Sequence, residues 1–137
     1  MSWEESRTFY ERGRAAMADG DLEMAVTLLR RSHLVAPHFK TLELIGECLL
    51  GLERPVEAIE PLAAATALNP QVRAPSLLAE AFLAAGDQEG ALQFARRVLS
   101  IDPQNRRALR VIGVLGGGSG RGREGGPGSG EEGSEGE

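Results

Sequence analysis

The sequence holds one cysteine, one tryptophan, one tyrosine, one lysine and two histidines among 137 residues. A lone Cys48 excludes an internal disulfide framework. No apolar run approaches the roughly 18 to 20 residues of a membrane span. The stretch from Met1 to Asp21 carries acidic residues early and no apolar block, so it does not read as a signal peptide. These absences lead us to expect a soluble protein of a reducing, cytoplasmic compartment, without a membrane association. His33 and His38 have no second histidine, cysteine or carboxylate at metal-ligand spacing, so neither a metal nor a cofactor is expected. His33 reads as a packing residue near a helix end and His38 as part of an exposed turn. No glycine-rich phosphate loop precedes a lysine, and Ser76 has no histidine base in its sequence context. The chain is not expected to be an enzyme.

Glycine is abundant but unevenly placed. Of the 18 glycines, 11 fall between Gly116 and Gly136, and residues 116–137 hold only Gly, Ser, Arg, Glu and Pro. Such a segment cannot bury enough apolar surface to offset the entropy of ordering it, so residues 116–137 are expected to be a disordered tail. The tail carries five Glu against two Arg, −3 of the total −5. The remaining 115 residues contain every apolar side chain, enough for one domain and not two. Their near-neutral charge argues against a nucleic-acid binder working through a basic face. The Gly120-Arg121-Gly122-Arg123 piece offers two arginines and no aromatics for stacking on bases, so it reads as part of a solvating acidic terminus.

Within the 115 residues a period of 33 recurs. Pro37, Pro70 and Pro103 keep it; so do Ala25, Ala58 and Ala91, the set Leu29, Leu62 and Ala95, and the set Gly13, Gly46 and Ala79. The units are 6–38, 39–71 and 72–104, each two helices and a proline-marked turn, within a domain of residues 1–115. Ser2 with Glu5 forms a capping-box pattern. Gly20-Asp21 and Gly86-Asp87 pair a permissive turn residue with an N-cap acceptor. Leu22, Ala25, Val26, Leu29 and Ser32 follow helical steps, and Ala91, Phe94, Ala95, Val98 and Leu99 repeat them. Pro55 suits a first helical position and Pro75 a helix start. Pro61 is expected to kink its helix or delay its start. β-branched alternation is absent, and the fold class is all-α. Small residues at 13, 46 and 79 allow close approach of paired helices. Cys48 reads as a buried core thiol. From Arg106 to Leu115, Leu109, Ile112 and Val114 alternate with exposed-looking Arg106, Arg107 and Arg110, the pattern of an end-capping helix over about 105–115.

Ankyrin repeats also run 33 residues, but their Thr-Pro-Leu-His signature is missing. The content resembles the tetratricopeptide repeat: Phe9, Gly13, Ala16, Ala25, Leu29 and Pro37 in unit one; Leu42, Gly46, Leu49, Ala58, Leu62 and Pro70 in unit two; Leu78, Ala79, Phe82, Ala91, Ala95 and Pro103 in unit three. Arg12 and Ala95 depart from the pattern, and each unit is one residue short. The resemblance implies an α-solenoid, a short right-handed superhelix of antiparallel helix pairs.

It also implies that four positions of each first helix line a concave groove. These are Arg7, Tyr10, Arg14 and Met17; Lys40, Glu43, Glu47 and Leu50; Arg73, Ser76, Glu80 and Leu83. Arg7, Lys40, Arg73 and Arg106 share the 33-residue spacing, either as a ridge of positive charge or as a row of solvated charges. Glu43, Glu47 and Glu80 make the groove partly acidic and are expected to repel a peptide gripped by its terminal carboxylates. Met17, Leu50 and Leu83 supply an apolar floor. The function expected is a non-catalytic adaptor, a monomer or weak homo-oligomer. It would hold a partner's peptide segment with charges and an apolar anchor. A small secretion-type chaperone and a structural subunit associating through its stack ends are the alternatives, with an RNA-associated protein acting through its tail a more distant one.

Overall fold

The computed structural model describes residues 2–69 and 71–117. Among the described residues seven α-helices follow in order: α1 (Trp3–Ala18), α2 (Leu22–Val35), α3 (Phe39–Gly51), α4 (Pro55–Leu68), α5 (Arg73–Ala84), α6 (Gln88–Ile101) and α7 (Arg106–Gly117). Each helix packs on the next in the chain, and α3 touches α5 while α5 touches α7. The result is a stack of three helix pairs closed by a seventh helix. Pro70 and residues 118–137, with the Gly120–Arg123 piece, lie outside the described residues.

Local chemistry sets the helix ends. Ser2 and Glu5 close a reciprocal capping box on α1. The carboxylates of Asp21 and Asp87 accept from the Met24 and Gly90 N–H groups. Gly20 and Gly86 take positive φ, 82° and 90°, which a side chain would disfavour. The same place in the middle pair is occupied by Glu53 with φ 60°. Its neighbour Arg54 is the N-cap of α4 and makes no capping bond. Arg54 instead pairs with Glu57 at 2.8 Å and Glu23 at 3.2 Å, and its hydrogen bond holds the Glu57 carboxyl below the ordinary carboxylate range. Since left-handed backbone costs a non-glycine residue about 1–2 kcal/mol, less glycine's own unfolded-state entropy, Glu53→Gly is expected to raise stability by about 0.5–1 kcal/mol. Thermal unfolding followed by circular dichroism checks this; a lower midpoint would contradict the strain.

The core runs through the stack between the paired helices. Leu29, Leu49, Leu62, Leu77, Leu78, Val98 and Val111 are each at most 2% exposed. Close approach at the small positions is visible in the geometry: a Cβ added to Gly13 would lie 2.8 Å from Leu29 Cγ, and one added to Gly46 would lie 2.3 Å from Leu62 Cγ. In the third pair Ala79 and Ala95 replace both partners and are fully buried. Ser6 and Ser32 tie α1 to α2, each hydroxyl donating to the other residue's carbonyl at 2.9 and 2.8 Å.

Two sequence expectations require correction. α4 starts at Pro55 and continues through Pro61 as one helix, so its start is not delayed. The packed face of Ala58, Leu62 and Ala65 carries the helix across the missing N–H. On α7 the buried face is Ala108 and Val111 with Ile112 and Leu115 partly covered, the i, i+3, i+4, i+7 set of a helix. Leu109 and Val114 are 44% and 54% exposed. Arg107, read as exposed, is half-buried against α5.

Candidate functional site

Along one side of the stack α3 contacts α5 and α5 contacts α7, and the twelve positions expected to line a groove sit on α1, α3 and α5. Arg7, Arg14 and Lys40 are exposed; Tyr10, Met17, Glu47, Leu50, Arg73, Glu80 and Leu83 are half-buried. Glu43 is 4% exposed and Ser76 fully buried, its hydroxyl donating to the Arg73 carbonyl at 2.8 Å. Ser76 therefore supports the groove wall without presenting its hydroxyl to solvent, and Glu43 is nearly covered beside it.

Two cavities mark the ends of this face. One of about 480 Å³ lies between the starts of α1 and α3 and is lined by Trp3, Ser6, Arg7, Tyr10, Ser32, Ala36, Pro37, His38, Lys40 and Thr41. Arg7 lies over the Trp3 ring at 5.8 Å and pairs with Glu11 at 3.1 Å. His38 is exposed, as its turn position suggests. It also caps α3: its Nδ1 accepts from the Lys40 N–H at 3.0 Å, and its ring stacks on Phe39. The other cavity, about 270 Å³, is lined by Leu50, Glu80, Leu83, Ala84, Arg110, Val111 and Val114. It is apolar apart from a Glu80–Arg110 ion pair at 2.7 Å.

The charges of the groove are organised across the seams between units. Arg73 at the start of α5 reaches back to α3, where it sits 3.6 Å from Glu43 and hydrogen-bonds Glu47. Glu80 on α5 is held in turn by Arg107 at 3.3 Å and Arg110 at 2.7 Å on α7. The three glutamates are thus neutralised by the next unit's arginines, which removes the ground for expecting them to repel an acidic peptide. Burial pushes the Glu43 carboxyl above the ordinary carboxylate range, opposed chiefly by Arg73. The series at 7, 40, 73 and 106 is accordingly not a uniform ridge, because Arg7 and Arg73 are paired. Arg14 and Lys40 close no ion pair among the described residues.

Elsewhere the chemistry is sparse. Cys48 is 1% exposed, and burial pushes its thiol up to about 11, a core group rather than a nucleophile. His33 packs near the end of α2, with Nδ1 buried and unpartnered. Among the described residues no group of His, Cys, Asp and Glu is placed to hold a metal ion, and no helix is long and apolar enough to cross a membrane.

The family model described as tetratricopeptide repeat matches residues 10–73 and 62–106. The chain belongs to the tetratricopeptide-repeat family. No curated protein sequence matches it. Among solved structures it is similar to the first TPR of Spaghetti (RPAP3) bound to the HSP90 peptide SRMEEVD, with 20% identity and a TM-score of 0.76, covering 85% of this chain and 97% of that one. It is likewise similar to the Sgt2 TPR domain from Aspergillus fumigatus, at 21% identity and TM-score 0.76, covering 85% and 80%. A third is the second TPR domain of human RPAP3 in complex with the HSP70 peptide SGPTIEEVD, at 18% identity and TM-score 0.77, covering 82% and 96%. These likenesses establish the tetratricopeptide-repeat helix-pair stack, a module of typically non-catalytic interaction proteins.

The sequence pattern pointed to Arg7, Tyr10 and Lys40 at one cavity and to Leu50, Glu80 and Leu83 at the other. It missed Trp3, Ser6, Ser32 and Thr41, and the use of Arg107 and Arg110 as Glu80's partners. A signal for the seam pairing was present: Glu47 and Arg73 are 26 residues apart, as are Arg14 and Lys40.

Proposed function

We propose that this tetratricopeptide-repeat chain is a non-catalytic adaptor that holds a peptide segment of a partner protein along its inner face. The observation that carries this is the pair of cavities. Six of the twelve groove positions line them, three at a cation- and aromatic-bearing end and three at an apolar end. A fitting segment places an acidic residue near Arg14 and Lys40 and an apolar anchor over Leu50 and Leu83. Acidic peptides such as those bound to the RPAP3 relatives fall within this class. The neutralisation of Glu43, Glu47 and Glu80 favours their entry.

A displayed library of random peptides selected on the full chain tests this. Selected peptides are expected to lose at least tenfold in affinity on Leu83→Glu or Lys40→Glu, and to be unaffected by Arg96→Glu on the outer helix α6. Binders that ignore the first two substitutions would place recognition on another surface.

A further inference from the structure

The groove ion pairs form a series with one position reversed. At the second seam, Glu47 of α3 meets Arg73 of α5; at the third, Glu80 of α5 meets Arg107 and Arg110 of α7. The 33-residue period places Arg14 of α1 opposite Lys40 of α3 at the first seam, where the other seams set a carboxylate against a cation. Arg14 is exposed and has no carboxylate partner among the described residues. Lys40 is within electrostatic range of Glu43, but Glu43 is committed to Arg73. Lys40 lines the 480 Å³ cavity together with Trp3 and Tyr10, and Arg14 follows Tyr10 by one turn on α1; both are exposed cations at positions where the next seam has an ion pair. A carboxylate from outside the stack would give these cations the partner that Glu47 gives Arg73.

We propose that the chain supplies this carboxylate itself: the acidic segment 131–137 docks at Arg14 and Lys40 and competes with a partner for the groove. Four of its seven residues are glutamate, Glu131, Glu132, Glu135 and Glu137, with no cation among them. Length permits the contact. Residues 118–130 separate this segment from the end of α7, and thirteen residues reach at most about 45 Å when fully extended. Packed helices lie about 10 Å apart, so α3, which carries Lys40, is about 20 Å from α7 through α5. Tethering gives the segment an effective concentration of order millimolar, so a weak, salt-sensitive contact suffices to populate it. The carboxylates gain at this seam what Glu47 and Glu80 gain at the next two. The proposal adds a competitor to the adaptor reading and is tested separately from it.

Lys40 is the only lysine, so apart from the α-amino group it is the one amine that zero-length carbodiimide coupling can join to a carboxylate. Treating the full chain at low ionic strength, then mapping the monomer fraction by proteolysis and mass spectrometry, is expected to show Lys40 joined to a glutamate of segment 131–137. Coupling should fall at least fivefold in 0.5 M NaCl and with Arg14→Glu, which supplies the missing carboxylate within α1. Arg96→Glu, the same change in net charge on the outer face, should leave it unaltered. Coupling of Lys40 to Glu43 alone, coupling only between copies, or indifference to Arg14→Glu would each overturn the proposal. In any of these cases, library-selected peptides still lost on Leu83→Glu would leave the adaptor reading standing.

Discussion

Gly46→Ala is expected to destabilise the chain by about 2 kcal/mol or more, a larger loss than Gly13→Ala, in urea denaturation followed by circular dichroism. Helix propensity alone predicts the opposite, since alanine is favoured over glycine by about 1 kcal/mol inside a helix. Packing overrides it. The added methyl would lie 2.3, 2.4 and 3.0 Å from three carbons of Leu62, which is itself fully buried. At Gly13 the corresponding contacts with Leu29 are 2.8 and 2.9 Å, within reach of a smaller adjustment. The third helix pair shows how the same seam is filled differently, with alanine on both sides at Ala79 and Ala95. Leu62→Ala alone should cost about 2–5 kcal/mol by leaving a cavity. In the double variant the new methyl enters that cavity and its clash disappears. The double variant is therefore expected to be more stable than the sum of the single effects by about 2 kcal/mol. Additive losses would show that Leu62 does not set the requirement for glycine.

This exchange of sizes was legible in the sequence because it recurs: Gly13 with Leu29, Gly46 with Leu62, Ala79 with Ala95. The caps at Ser2, Asp21 and Asp87 were legible for the same reason, each being a local rule with its own side-chain signature. What failed to show was set by neighbours distant in sequence. On α3 six successive residues, Thr41 to Gly46, are buried, because the helix is covered by α2, α4 and α5 together. A helix enclosed on several sides loses the amphipathic contrast from which a groove position is inferred, and Glu43 passes for a solvent-facing charge. On α7, Leu109, Ile112 and Val114 stood out as large apolar residues, yet the last step of two turns Val114 away from the seam. The buried pair Ala108 and Val111 was smaller and hidden among arginines. Glu53 offered no signal of its left-handed backbone except its place midway between Gly20 and Gly86.

Arg73→Met is expected to destabilise the chain by about 2 kcal/mol at pH 7, and by less as the pH falls towards 5. The guanidinium serves two carboxylates, and one of them, Glu43, has a side chain only 6% exposed. Breaking a fully buried pair costs about 3–5 kcal/mol. The figure is reduced because the Arg73 side chain is 41% exposed and because Glu43 can take up a proton. Burial already raises the Glu43 carboxyl, and Arg73 is the principal group opposing it; its loss raises the carboxyl further and leaves Glu47 as a nearby like charge. A folded-state value above the unfolded one means that the stabilising contribution is complete below the ordinary carboxylate value. It is lost as pH rises through the folded value. The native chain is expected to follow this trend, and Arg73→Met to follow it more steeply over the same side of neutrality. Adding Glu43→Gln should flatten the slope and restore most of the stability at pH 7, since the anion that needed the arginine is gone. Chemical denaturation between pH 5 and 7.5 reads both effects. A deficit in Arg73→Met that stays constant with pH and persists with Glu43→Gln would assign the loss to packing of the arginine stem instead.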